Sequence, residues 1–252
     1  MPRRTTRDMT RQYTIDAMRC TIVPAILGLL MLAACAPTGG NFSPFNPPPD
    51  SRTETEPAVH SPTGSGAVIK DASGSTTIAE RLLPSGVLEV GAHDAPLTML
   101  LVTNLSCRYC HDFDARHLPR LLRDFIETGK LRYQLMILPL VRYPESMRET
   151  SALFCAATEG KGWLAAEWLF ANTEHTAGAI RTMTKKLKLT EKNFTTCMDD
   201  PKTQKILTQQ ESLFDSLSIR LVPTMFLNGE RSQGVPEYPD LRGRIERMLK
   251  NM

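Results

Sequence analysis

Leu97-Thr98-Met99-Leu100-Leu101-Val102-Thr103-Asn104-Leu105-Ser106-Cys107-Arg108-Tyr109-Cys110-His111-Asp112-Phe113 is the stretch on which the reading of this chain turns. It opens as a near-continuous apolar run, the pattern of a strand buried on both faces. It closes as the start of a helix. Between the two lie cysteines separated by two residues. Thiols so spaced can close a small disulfide, and the partial positive charge of a helix N-terminus favours a thiolate there. The pattern predicts a redox couple, Cys107 and Cys110, rather than a staple. The same letters, Cys-Arg-Tyr-Cys-His, also spell a c-type haem attachment motif, so the surroundings must decide.

Downstream, Cys107 to about Thr128 reads as a helix that Pro119 kinks and Gly129 ends. Leu131 to Leu138 reads as a second strand, stopped by Pro139. Strand, helix, strand in that order predicts parallel pairing. Upstream, Val87-Leu88-Glu89-Val90 is a short strand. From about Glu145 to Leu217 the spacing is helical: Ser151–Ala157, Trp163–Phe170, and a face of Ile206, Leu207, Leu213, Phe214 and Leu217. Thr224–Leu227 returns to strand, with Asn228-Gly229 as a hairpin turn. A last amphipathic helix runs from about Tyr238 to Lys250. The domain is α/β.

The N-terminal segment has a different character. Arg3, Arg4, Arg7, Arg11 and Arg19 make a basic region, followed by an apolar run from about Ile22 to Ala34. That run is shorter than the roughly 20 residues a membrane-crossing helix needs. Its end, Leu32-Ala33-Ala34-Cys35, resembles the lipobox of bacterial lipoproteins, so residues 1–34 are expected to be a lipoprotein signal peptide and Cys35 the lipidation site. An ordinary signal peptide or short anchor is the alternative. Residues 35–75 are rich in Pro, Ser and Thr and read as a disordered tether. They bury too little apolar surface to offset the entropy of ordering. Residues 76–252 are then one domain with its own core.

Residues 1–34 hold five Arg and two Asp, which leaves 25 basic and 25 acidic side chains in the remainder. A neutral mature chain gives no electrostatic reason to expect nucleic acid as a partner. The basic run with Lys185, Lys186, Lys188 and Lys192 reads as a solvated helix face. Of six cysteines, Cys20 and Cys35 lie outside the domain. The four that remain allow three pairings, and the short spacing favours Cys107–Cys110, leaving Cys155 and Cys197 for a structural disulfide. Two buried free thiols at 155 and 197 are the alternative.

Asp94-Ala95-Pro96 before the long strand, Cys107-x-x-Cys110, Gly129-Lys130-Leu131-Arg132, Lys161-Gly162-Trp163 and Val222-Pro223-Thr224-Met225-Phe226-Leu227-Asn228-Gly229 occur in one order. Together they resemble the DsbA family of exported thiol–disulfide oxidoreductases over about residues 85–250. The resemblance implies a thioredoxin-like fold with an inserted α-helical domain, here about residues 145–217. It implies an exposed nucleophile at Cys107, a more buried resolving thiol at Cys110, and a cis Pro223 that turns the Val222 backbone toward them. Arg108 and Tyr109 form the active-site dipeptide. Ser106 stands where many members have proline, and Arg108-Tyr109 is not the Pro-His of the best-known oxidases.

The expected function is disulfide exchange with protein thiols by an exported, membrane-tethered enzyme, mainly as an oxidase. No cofactor is expected beyond the Cys107–Cys110 disulfide itself, and no metal. Expected partners are exported proteins with cysteine thiols and a membrane or periplasmic redox partner that resets the couple. The chain is expected to be a monomer, lipid-anchored to a bacterial membrane with its domain in the periplasm or cell envelope. Isomerase or reductase activity, a binding module of the same fold, and a haem protein with His111 as axial ligand are the competing readings. Zinc is disfavoured because one Cys-x-x-Cys with two distant cysteines is poor structural-zinc spacing.

Overall fold

The computed structural model describes residues 68–70, 76–139 and 145–252. The segment expected to be a signal peptide, Cys35 and most of the expected tether lie outside the described residues. Strand β1 (Val68–Lys70) falls inside the stretch assigned to the tether and pairs antiparallel with β2 (Thr76–Ile78). Val68, Ile69, Thr76, Thr77 and Ile78 are β-branched and suit paired strands. That local signal is masked in the sequence by the Gly and Ser around it.

Six strands form the main sheet: β3 (Glu80–Leu82), β4 (Leu88–Val90), β5 (Leu97–Thr103), β6 (Leu131–Ile137), β7 (Thr224–Leu227) and β8 (Glu230–Gln233), in the order β3-β4-β6-β5-β7-β8. Strands β5 and β6 are parallel, in register from Leu97 opposite Leu131 to Thr103 opposite Ile137. All the other pairs in this sheet are antiparallel. The apolar run of β5 explains its central place. Successive side chains point to opposite faces, so Leu97, Met99 and Leu101 enter the larger core while Leu100 and Val102 enter a second one with Phe214, Ile219 and Phe226. Asn228 (φ 45°) and Gly229 (φ 87°) both take left-handed backbone, the geometry of a type I′ turn, and close the β7–β8 hairpin.

The helix expected after Cys107 is three segments rather than one. Helix α1 (Arg108–Arg116) stops at His117, α2 (Leu118–Leu121) restarts with Pro119 in its first turn, and Leu122–Ile126 is a π-helical turn. Pro119 has no N–H to give an α1 continuation, but the first turn of a helix does not need one. Gly129, at φ 70°, ends the run.

The helical insertion comprises α3 (Glu145–Thr158), α4 (Gly162–Ala171), α5 (Ala177–Lys186), α6 (Glu191–Asp199) and α7 (Pro201–Ser216), and α8 (Tyr238–Lys250) closes the chain. A disulfide joins Cys155 of α3 to Cys197 of α6, with Cα atoms 5.8 Å apart. The N-terminus of α4 is capped from outside. Glu80 on β3 accepts from the backbone N–H of Gly162 and of Trp163, each at 2.7 Å. These are helix-end donors with no partner inside α4. Gly162 is required there, because a Cβ would stand 2.7 Å from Ala157 Cβ and from Leu88 Cδ1.

Candidate active site

Cys107 is the N-cap of α1, in extended backbone (φ −100°, ψ 115°), and its carbonyl accepts from the N–H of Cys110 at 3.0 Å and His111 at 3.2 Å. Both cysteines are free thiols sharing one helical turn. Cys107 is half-buried, whereas Cys110 is 0 % exposed. The C-terminal end of the central strand β5 leads into the pair, and the buried Asn104 holds the turn that follows. Its side-chain amide donates to Leu138 O and Ser146 Oγ, both at 2.8 Å, and its Oδ1 accepts from Ser106 N at 2.9 Å. Its carbonyl accepts from Cys107 N at 3.1 Å. One side chain thus ties together the end of β5, the chain after β6, and α3.

Val222–Pro223 is a cis peptide bond, and the Val222 carbonyl lies 3.4 Å from Cys107 Sγ. The loop is anchored on either side of that carbonyl. Thr224 Oγ1 donates to Leu221 O at 2.6 Å, and Gly234 N donates to Pro223 O at 2.8 Å. Thr224 also pairs with Val102 across β5 and β7, which brings a loop 115 residues distant to the nucleophile. Arg108 is exposed, and Tyr109 (63 %) and Leu221 (64 %) leave two large apolar side chains in solvent beside Cys107. His111 is half-buried. Its Nε2 donates to Leu105 O at 2.7 Å, and its ring meets Phe170 edge-on with centroids 5.5 Å apart.

The two thiols differ in environment. Burial pushes the Cys110 thiol up to about 12, and Cys107 adds to the rise; the Thr103 hydroxyl and the Asn104 backbone pull the other way. Two further ionisable groups couple to this region, Asp114 and Tyr133. Asp114 is raised to about 6, chiefly by burial and further by the charge of Glu167, against the opposing pull of His111. Tyr133, fully buried, is held well above its ordinary value by burial, Asp114 and Cys110. Sequence reading missed Asn104, Asp114 and Tyr133. Asn104 alone had a local signal, a turn-forming residue between a strand and a helix start. Cys155 and Cys197 lie in the insertion and contribute no atom to the pair's immediate surroundings described above.

A family model described as Thioredoxin matches residues 85–247. Among solved structures, α-DsbA1 of Wolbachia pipientis superposes with a TM-score of 0.59 at 18 % identity, covering 65 % of this chain and 90 % of that one. Oxidised BdbD of Bacillus subtilis gives 0.61 at 20 % identity, with 68 % and 96 % covered. ScsC of Proteus mirabilis, in a transitional conformation, gives 0.57 at 18 % identity, with 67 % and 74 % covered. At these identities the likeness is one of fold. No curated protein sequence matches the chain.

Proposed function

The chain belongs to the thioredoxin family, matched over residues 85–247, and on that premise we propose that it is a protein thiol–disulfide oxidoreductase working mainly as an oxidase. The observation that carries the reading is the meeting of Cys107 Sγ with the Val222 carbonyl at 3.4 Å, above a Cys110 with no exposure. An extended substrate can pair its backbone with the Val222 loop while presenting sulfur to Cys107, and Tyr109 and Leu221 offer apolar contact on either side. Unfolded polypeptides, which expose both backbone and apolar side chains, fit such a rim.

In the oxidising direction a substrate thiolate attacks Cys107 Sγ of the Cys107–Cys110 disulfide. The S–S bond breaks, its electron pair leaves on Cys110, and Cys110 takes a proton. A mixed disulfide now joins substrate to Cys107. A second substrate thiolate attacks the substrate sulfur of that bond and releases Cys107 as thiolate. The substrate has lost two electrons and two protons, and the enzyme holds a dithiol. No prosthetic group is needed, and a redox partner in the membrane or envelope must reoxidise the couple. Attachment through a lipid on Cys35, export by residues 1–34 and action as a monomer complete the proposal. The Cys155–Cys197 disulfide supports an oxidising compartment.

Trapping tests it. With an unfolded protein that carries disulfides, the Cys107 thiolate of Cys110→Ser should attack one, expel the other substrate sulfur as a thiolate and accumulate as a mixed disulfide, and Cys107→Ser should form none. Function that survives Cys107→Ser would point instead to a binding module.

A further inference from the structure

The insertion holds a buried ionisable pair that the exchange chemistry does not use. Glu149 on α3 and His175, in the connection from α4 to α5, are 2 % and 6 % exposed. His175 Nδ1 lies 2.5 Å from Glu149 Oε1, and its Nε2 lies 3.0 Å from Leu169 O. A carbonyl only accepts, so Nε2 carries a hydrogen. At Nδ1 a bare lone pair facing a bare carboxylate would repel it, so a second proton sits on that line. Burial alone lowers the ring's pKa, but the hydrogen bond and charge of Glu149, with the backbone at Leu169 and Asn172, raise it above its ordinary value. One proton is therefore held between the ring and the carboxyl, and the direction of the shift favours its place on the ring. The other charge at this place is Arg148, which donates to His175 O at 3.3 Å and pairs with Glu145, while Trp168 supplies a ring 6.5 Å away.

What the pair grips is the end of α4 nearest the thiols. Leu169, whose carbonyl receives Nε2–H, is fully buried, and the next residue, Phe170, sets its ring against His111. His111 in turn donates to Leu105 O, two residues ahead of Cys107. We infer that the Glu149–His175 pair is a positioning device for the redox centre: through Leu169, Phe170 and His111 it fixes the loop entering Cys107, and so sets the dithiol–disulfide equilibrium. This rests on the reading of Cys107 and Cys110 as an exchanging couple. Couplings carried by contiguous packing change an equilibrium constant by roughly two- to thirty-fold. By linkage, the grip should differ in strength between the two redox states. The grip is complete below the ordinary pKa of the ring and weakens as pH rises through the raised pKa of His175, which removes the proton held between the two groups.

The test equilibrates the full chain with glutathione buffers at pH 7, as wild type, His175→Gln, Glu149→Gln and Phe170→Leu. The fraction of Cys107–Cys110 disulfide is read by alkylation and mass spectrometry, and Tm is recorded in both redox states. All three variants should shift the equilibrium constant at least twofold, and wild-type NMR should show both His175 ring N–H protons at pH 7. A role confined to folding lowers Tm equally in both redox states and leaves the constant unmoved; that result overturns the inference, as does a neutral His175 ring. If either charge variant fails to fold, Phe170→Leu and the wild-type spectrum still decide. A wild type with no redox titration at Cys107 and Cys110 sinks the oxidoreductase reading instead, so the two failures are distinct.

Discussion

Reduced protein treated with limiting iodoacetamide at pH 7.5 should be labelled at Cys107 long before Cys110. The expected gap follows from the surroundings of Cys110, whose thiol is held at about 12 by burial. At pH 7.5 such a thiol is ionised to about three parts in 100,000, against roughly 9 % for an ordinary thiol of pKa about 8.5, a ratio of about 3,000. The more basic thiolate is intrinsically the better nucleophile, and a Brønsted slope of about 0.4–0.5 over 3.5 units returns roughly fortyfold of that. Ionisation therefore leaves Cys110 on the order of a hundredfold slower than an ordinary thiol, and its lack of exposure slows it further. Trypsin makes the readout direct, because cleavage after Arg108 puts Cys107 and Cys110 in different peptides. Labelling of the two at rates within fivefold of each other, or of Cys110 first, would refute the division into an attacking and a resolving thiol.

Three further variants probe the frame. Glu80→Ala strands the N–H groups of Gly162 and Trp163; two lost caps should cost about 1–3 kcal/mol in urea unfolding, softened because burial already raises the pKa of Glu80 and so disfavours the charged cap. Asp114 has a folded-state pKa raised to about 6, with burial the largest cause. The protonated form is thus favoured by folding: its contribution is complete below about pH 4 and lost as pH rises through about 6. Asp114→Asn should accordingly raise stability by about 1–2 kcal/mol at pH 7.5, allowing for partial solvent screening, and leave it unchanged near pH 4; a pH series of Tm checks the sign. Opening the Cys155–Cys197 bridge, which spans 42 positions, with paired Ser substitutions should cost about 4 kcal/mol on the chain-entropy account, read by equilibrium unfolding.

Local pattern carried the parts of this fold whose causes are local. The apolar run Leu97–Thr103 gave a strand with the observed bounds, since burial on both faces leaves no alternation to misread. Asn228-Gly229 gave its hairpin because left-handed backbone at two successive positions demands those residues. Pro119 announced a break, but not the π-helical turn after it. That turn coincides with Tyr238 OH donating to Asp124 at 2.8 Å, a contact 114 residues away. The same limit hid most of the site's supporting residues. Glu80 in a three-residue edge strand looks like any exposed acid until it meets Gly162 and Trp163. His175 carries no local signal, because its carboxyl partner Glu149 lies 26 residues earlier, on α3. Asp114 reads as a solvated helix position; only the packing of α1 over Tyr133 makes it costly to ionise. Motifs reported where the chemistry sits, and long-range packing decided what surrounds it.

The central claim is that Cys107 and Cys110 form a reversible couple that gives disulfides to other proteins. The direct measurement is a glutathione redox titration of the full chain, with the pair's oxidation state read by alkylation. The account predicts a single two-electron transition at or above the poise of an oxidising cell-envelope compartment, about −200 mV or higher. It also predicts that Cys155–Cys197 stays oxidised throughout that transition. A transition well below the glutathione poise would contradict the oxidase role, and a pair that never closes would contradict the exchange chemistry itself.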